Sequence, residues 1–229
     1  MAQGKKPVSA HDLAVWHTVD INLYLDEGRL DHRPVIGTAF PLRHGHDERA
    51  LAEGGFTLMT YAAAGDGGYA HSSGFFFATG PAGLALTALS VAGRAAVNSR
   101  RRREAAAAAT LRWRTTEHGL LTVSTHGLYL RGSTGFFPWP YVDVSTAELL
   151  GPGLVRFSGS SDQGNIDWIV TSDWAELFFT LWARAVHPSH PQFVGRTWVP
   201  PGWAQRMAVD GHALPAHLPL SPGPQDRRD

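Results

Sequence analysis

Twelve histidines in a chain without cysteine put imidazole, and not thiolate, at the centre of any metal or acid–base chemistry. The closest groupings are His44-Gly-His46-Asp47 and His187-Pro-Ser-His190. Two imidazoles two residues apart on a loop can share a cation, but a competent centre needs a third and a fourth donor, and the spacing fixes neither. Solvated loop histidines are the preferred account of both groupings, and His118 and His126 read as hairpin-turn residues. A metal-assisted, hydrolase-like enzyme using His44, His46 and Asp47 is therefore the alternative; no catalytic residue, metal ligand or cofactor is assigned. Ser160-Ser161-Asp162 lacks the Gly-x-Ser-x-Gly frame of a nucleophile elbow. Gly65-Asp-Gly-Gly68 is too short and wrongly spaced to cradle a phosphate or a dinucleotide.

Charge offers a second kind of chemistry. Lys plus Arg equals Asp plus Glu at 20 each, so no global surplus gathers nucleic acid, and no specific nucleic-acid partner is expected. The one concentration of cations is Arg100, Arg101, Arg102 and Arg103, with Arg112 and Arg114 further along. These six could contact lipid head groups, phosphates or an acidic protein partner. A solvated helix end, its cations near unpaired carbonyls, is the structural counterpart. Trp198 and Trp203 could anchor a partner, because aromatic side chains bury much area at little entropic expense; packing back on the domain is the equal alternative.

These residues have to be held by elements that the hydrophobic pattern outlines. From Leu13 to Leu25, Val15, Val19, Ile21, Leu23 and Leu25 fall at nearly every second position, which predicts a half-buried strand ended by Asp26-Glu27-Gly28. A loop rich in Pro and Gly follows to Glu53, and a second strand is expected over Phe56–Tyr61. The twenty uncharged residues from Gly74 to Gly93 are long enough to cross a bilayer. Their seven strongly apolar side chains contribute only ~3 kcal/mol of insertion, however, and four glycines, Pro81 and hydroxyl residues largely offset it. The preferred reading is a long small-residue helix opened by Pro81 and running through Arg103 and the alanine tract.

From Leu111 the pattern is clearer. Leu111–Thr115 alternates, Glu117-His118-Gly119 reads as a turn, and Leu121–Ser124 and Leu128–Leu130 flank the tight connection Thr125-His126-Gly127. Strands bent at Pro138 and Pro140 fill Phe136–Ala147, and Leu154–Ser158 and Ile166–Thr171 complete about six short strands. A closing helix follows, with Asp173 as its cap. Trp174, Leu177, Phe178, Leu181, Trp182 and Ala185 recur at three and four on one face, Glu176, Thr180 and Arg184 form the opposite stripe, and His187-Pro188 stops the helix. Burying those aromatics and leucines is worth on the order of 10 kcal/mol before entropy is subtracted. Beyond Leu214, four prolines and few large apolar residues predict disorder.

Gly119-Leu-Leu-Thr-Val-Ser-Thr-His-Gly-Leu-Tyr-Leu130, then Phe137-Pro-Trp-Pro-Tyr-Val142 and the single amphipathic helix, resemble bacterial pleckstrin-homology-like and GRAM-like domains. The resemblance spans about Leu111–Val186. It implies a hairpin before a strand whose tryptophan anchors a barrel, one C-terminal helix plugging an open end, and an interaction module with no particular ligand.

The fold class expected is thus α+β: a small antiparallel β-barrel or sandwich, pleckstrin-homology-like, closed by a C-terminal helix. Residues 1–73 form a β-containing region, 74–110 the long helix with its basic end, 111–193 the module, and 194–229 an extended, partly disordered tail. The function expected is non-enzymatic binding of a protein partner or an anionic membrane surface, with self-association compatible. No apolar run with a cleavage site follows Met1-Ala-Gln-Gly-Lys-Lys-Pro7, which predicts cytoplasmic residence, with membrane association through the basic cluster as a variant. A single-span protein carrying a cytoplasmic module is the remaining alternative.

Overall fold

A computed structural model describes residues 8–62, 110–161 and 164–211. The expected helix over 74–110, the 74–93 run, Arg100–Arg103, the Gly65–Gly68 cluster and the tail beyond 211 lie outside the described residues. Among the described residues no helix is long and apolar enough to cross a membrane. The chain divides into two compact units, Met1–Met59 with Thr115–Asp229, and Thr60–Arg114. In the second, the Tyr61 and Trp113 rings lie 5.6 Å apart and the Arg114 Nε donates to the Ala62 carbonyl at 3.1 Å.

The architecture is α+β, with one antiparallel sheet of seven strands in the order β4-β3-β2-β1-β7-β6-β5. The strands are β1 (Ala50–Ala62), β2 (Arg112–Ser124), β3 (Gly127–Gly132), β4 (Phe136–Pro140), β5 (Val144–Gly151), β6 (Leu154–Ser161) and β7 (Gly164–Thr171). Among the described residues four α-helices complete it: α1 (Ala10–Asp26), α2 (Ala175–Val186), the single turn α3 (Pro191–Val194) and α4 (Trp203–Val209). β1 lies between β2 and β7, so the sheet draws on the N-terminal region as well as on residues 111–193.

Of the barrel or sandwich expected, the barrel is not formed, because β4 and β5 are joined by a 3-10 turn at Tyr141–Asp143 and not by a ladder; an antiparallel sheet is compatible with the other. The sheet curls instead. Trp139 of edge strand β4 meets Trp168 of β7 at 5.4 Å and Phe157 of β6 at 6.2 Å, both edge-on, so aromatic contacts span the concave side. Pro138 and Pro140 are tolerated because β4 pairs with β3 alone, and an edge strand needs donors on one side only.

Two expectations fail for the same reason, that local spacing was outweighed by tertiary partners. Leu13–Leu25 is helix and not strand: Ser9 and Asp12 form a capping box, and the buried positions are Ala14, Val15, Thr18, Val19, Ile21 and Asn22, a helical set. Glu117-His118-Gly119 is no turn but the middle of an unbroken β2. Gly119 stands opposite Gly132, where a Cβ would collide with the Arg131 carbonyl, so glycine serves close strand approach there.

Helix α2 is the core element. Leu177, Phe178, Phe179, Leu181 and Trp182 are buried, and the Trp182 indole N–H donates to the Val144 carbonyl at 2.9 Å. Trp174 rather than Asp173 occupies the cap position and gives no side-chain cap. Its indole donates to the Glu53 carbonyl at 3.0 Å and lies over Gly54, where a Cβ would come within 2.7 Å of the ring. The stripe expected to face water is covered by α1. His11 pairs with Glu176 at 3.0 Å, Asn22 with Thr180 at 3.0 Å, and Arg184 with Asp26 at 2.8 Å. Both faces of α2 are therefore buried, one by apolar contact with the sheet and one by matched polar pairs.

The segment after α2 is packed rather than extended. Trp198 is 7% exposed and Trp203 1%, and the Trp203 indole N–H donates to the Asp12 carbonyl at 2.9 Å while Arg206 pairs with Asp12 at 2.7 Å. Of the two readings open for these tryptophans, partner anchor or packing back on the domain, both side chains are seen packed on the domain, with Trp198 at the edge of a groove.

Candidate functional site: an arginine groove beside the closing helix

Two polar clusters invite a catalytic reading, and both are closed. Glu48, 4% exposed, accepts from Ser124 Oγ, from the Tyr129 hydroxyl at 2.7 Å and from the His44 N–H at 3.0 Å. Burial alone would raise its carboxyl, but the bonds from Ser124, His44 and Tyr129 outweigh that and hold it below the ordinary value. Burial, with Glu48 adding to it, pushes the Tyr129 phenol up to about 12. Ser124 Oγ also takes the N–H groups of His126 and Gly127, so it is a turn-former, and the Glu48 carboxylate that accepts its hydrogen bond is held too weakly basic to activate it. The cavity beside the cluster is about 10 Å³, room for a single water.

The second cluster is Glu117, whose oxygens take the hydroxyls of Thr134 and Ser133 and their N–H groups at 3.0 and 2.9 Å. The Thr134 hydroxyl and the Ser133 N–H lead in lowering its carboxyl to about 2. It staples the β3–β4 turn.

The histidine loop is likewise not assembled. The His44 ring stacks on His126 at 4.6 Å, while His46 and Asp47 lie exposed in a 3-10 turn. Among the described residues no group of three or more His, Cys, Asp or Glu side chains could hold a metal ion. Of the six arginines singled out by the sequence, Arg112 is exposed at the start of β2 and Arg114 is half-buried beside Ala62, both in the second unit.

The structure gathers cationic and apolar groups elsewhere. A groove of about 290 Å³ opens between α1, the last turn of α2 and the loop after α3, and is lined by Val19, Leu23, Phe193 and Trp198, by Arg184 and Arg196, and by the polar Asn22 and Asp26 that Arg184 pairs with. Arg184 is held from below: its Nη2 donates to Asp26 at 2.8 Å and to Asn22 at 3.3 Å, and its guanidinium lies 5.9 Å from the Phe193 ring centre. Its Nε is buried without a partner. Arg196 also lines the groove. It has a φ of 53°, the single non-glycine residue in the left-handed region among those described. Its side chain is exposed and makes no hydrogen bond or ion pair among the described residues. A side chain kept in that region against about 1–2 kcal/mol is one the surrounding structure over-determines.

Neither arginine stood out in the sequence. Arg184 belonged to a stripe read as solvated, and Arg196 is a lone cation in a Gly-Arg-Thr loop. Gly195 after a one-turn helix signals a left-handed cap, but Gly195 itself has φ −75° and the left-handed place falls one residue later, on Arg196. Comparison of the chain with known protein families, with curated proteins and with solved structures finds no match in any of the three.

Proposed function

We propose that the protein is a non-enzymatic interaction module that seats an acidic segment of a partner protein in the Arg184–Arg196 groove. The observation that carries this reading is the pairing of two guanidinium groups with the apolar and aromatic wall of Val19, Leu23, Phe193 and Trp198. A carboxylate can take the Arg196 fork, with Arg184, already paired with Asp26, adding its charge at the same groove, while an adjacent apolar side chain packs on the wall. A groove of about 290 Å³ suits one or two side chains, so affinity would be modest and salt-sensitive. The closed polar clusters at Glu48 and Glu117 favour binding over chemistry.

For the fold we propose the pleckstrin-homology-like reading. It is supported by the β2–β3 hairpin, by Trp139 packed against Phe157 and Trp168, and by one helix on the curled sheet. The open sheet and α1 depart from that pattern.

The test is fluorescence anisotropy with a labelled peptide alternating aspartate and leucine. The expected result is saturable binding that weakens at least about tenfold in Arg196→Glu and falls as salt rises. Equal binding to wild type and Arg196→Glu, or preference for a lysine–leucine peptide, would overturn the proposal. Stronger capture by phosphatidylserine vesicles than by the peptide would overturn it in favour of a membrane surface.

A further inference from the structure

His190 caps the single turn of α3. Its Nδ1 accepts the Gln192 N–H at 3.2 Å, which requires a lone pair on that nitrogen and therefore a neutral ring with its proton on Nε2. Phe179 and Trp182 of α2 and the His187 ring stand edge-on to the imidazole at 5.1, 5.8 and 5.6 Å, and these contacts keep the lone pair aimed at the backbone.

The capped residue is fastened a second time by its side chain. The Gln192 amide accepts from the Leu149 N–H at 2.9 Å and donates to the Leu149 carbonyl at 2.8 Å, the two groups that edge strand β5 would otherwise present to a further strand. One residue thus ties α3 both to His190 and to the sheet. Phe193 comes next in the chain and forms part of the aromatic wall of the arginine groove, 5.9 Å from the Arg184 guanidinium. The loop that carries Arg196 leaves from the same turn.

We infer that His190 is a proton switch on the groove: a proton on Nδ1 sets an N–H against the Gln192 N–H, opens the cap, slackens the Leu149 clamp and withdraws Phe193 from the wall, releasing the bound segment in acid. This inference rests on the peptide-groove reading above. The surroundings set where the switch lies. Burial first, and then the His187 imidazole, hold the His190 ring below its ordinary 6.5, while Glu148 of β5 pulls the other way. Arg156 of β6 and Asp167 of β7 border the same cavity, and they pair with each other at 2.7 Å, so their charges largely offset. With its folded value lowered, the neutral ring contributes its full stability above pH 6.5 and loses it as pH falls from there.

The test repeats the aspartate–leucine peptide titration on the full chain from pH 7.5 to 4.5, with the Gln192 and Leu149 backbone N–H shifts followed alongside by NMR. Expected in wild type is an affinity that falls about fivefold below pH 6.5, both N–H shifts titrating with it. His190→Asn, whose side-chain oxygen caps the turn without titrating, should match wild type at pH 7.5 and keep that affinity in acid, apart from the loss that the peptide's own carboxylates impose on every variant. His187→Asn removes a neighbouring imidazole that lowers the His190 value and should move the transition to higher pH. A wild-type affinity that holds in acid, or one that falls in parallel in wild type and His190→Asn, would overturn the switch and leave the groove standing. No peptide binding at pH 7.5 would overturn the groove instead. The N–H shifts then decide the release of α3: a titration present in wild type and missing from His190→Asn upholds it, and shifts that stay flat refute it. Should His190→Asn fail to fold, the displaced transition in His187→Asn takes its place.

Discussion

Replacing Arg196 by glycine should make the protein more stable and a poorer binder at once. The φ of 53° at this position costs a residue bearing a Cβ about 1–2 kcal/mol. Glycine escapes that cost but brings about 0.5–1 kcal/mol of extra unfolded-chain entropy. The net expected is a stabilisation of about 0.5–1 kcal/mol, or roughly 1–4 °C in Tm for a chain of this size. Arg196→Ala separates the two effects, since alanine keeps the strain and loses the guanidinium; its stability should stay within about 0.5 kcal/mol of wild type. Thermal unfolding followed by far-UV circular dichroism gives the order, and peptide anisotropy gives the binding. Both variants should lose peptide affinity about equally. A glycine variant no more stable than the alanine variant would refute the strain argument, and full affinity in both would remove Arg196 from the groove's function.

Three further outcomes follow from the packing and the charges. Trp203→Ala should cost about 3–5 kcal/mol in urea unfolding, because it empties a fully buried site and removes the indole's hydrogen bond to the Asp12 carbonyl; a change below about 1 kcal/mol would mean that the C-terminal segment is not part of the cooperative core. Glu117, with its folded carboxyl at about 2 against an ordinary 4.5, contributes stability that is present above pH 4.5 and lost as pH falls towards 2; in Glu117→Gln the slope of stability against pH in that window should flatten, as measured by chemical denaturation. The hydrogen bond to Glu176 outweighs burial and raises the His11 pKa above 6.5, so this pair contributes fully below pH 6.5 and fades as pH rises through the raised value; His11→Gln should remove that alkaline decline, and a decline that persists would assign it to another group.

Much of the scaffold could be read locally. The i, i+3, i+4 aromatics of α2, the Leu121–Leu130 hairpin and the strands after Leu154 all carry a period that neighbours in the chain enforce, and each is found where that period puts it. The 13–25 stretch misled because apolar residues two apart coincide with the face of a helix buried over more than one side, while the informative pair was Ser9 and Asp12. Glycine 119 misled because close strand approach and turning use the same residue type.

The candidate sites were beyond such reading, for a physical reason. A cation or a carboxylate in a polar stripe is solvated by default, and the sequence alone determined only that Glu176, Thr180 and Arg184 share one side of α2. It took α1, 165 residues earlier in the chain at His11, to bury that side and engage Oε1 of Glu176. It took the fold of the loop after Phe193 to hold Arg196 left-handed and bring it to the same groove as Arg184. Periodicity is a property of neighbours in sequence, whereas desolvation and charge convergence depend on which distant segments pack together, and that was decided only in three dimensions.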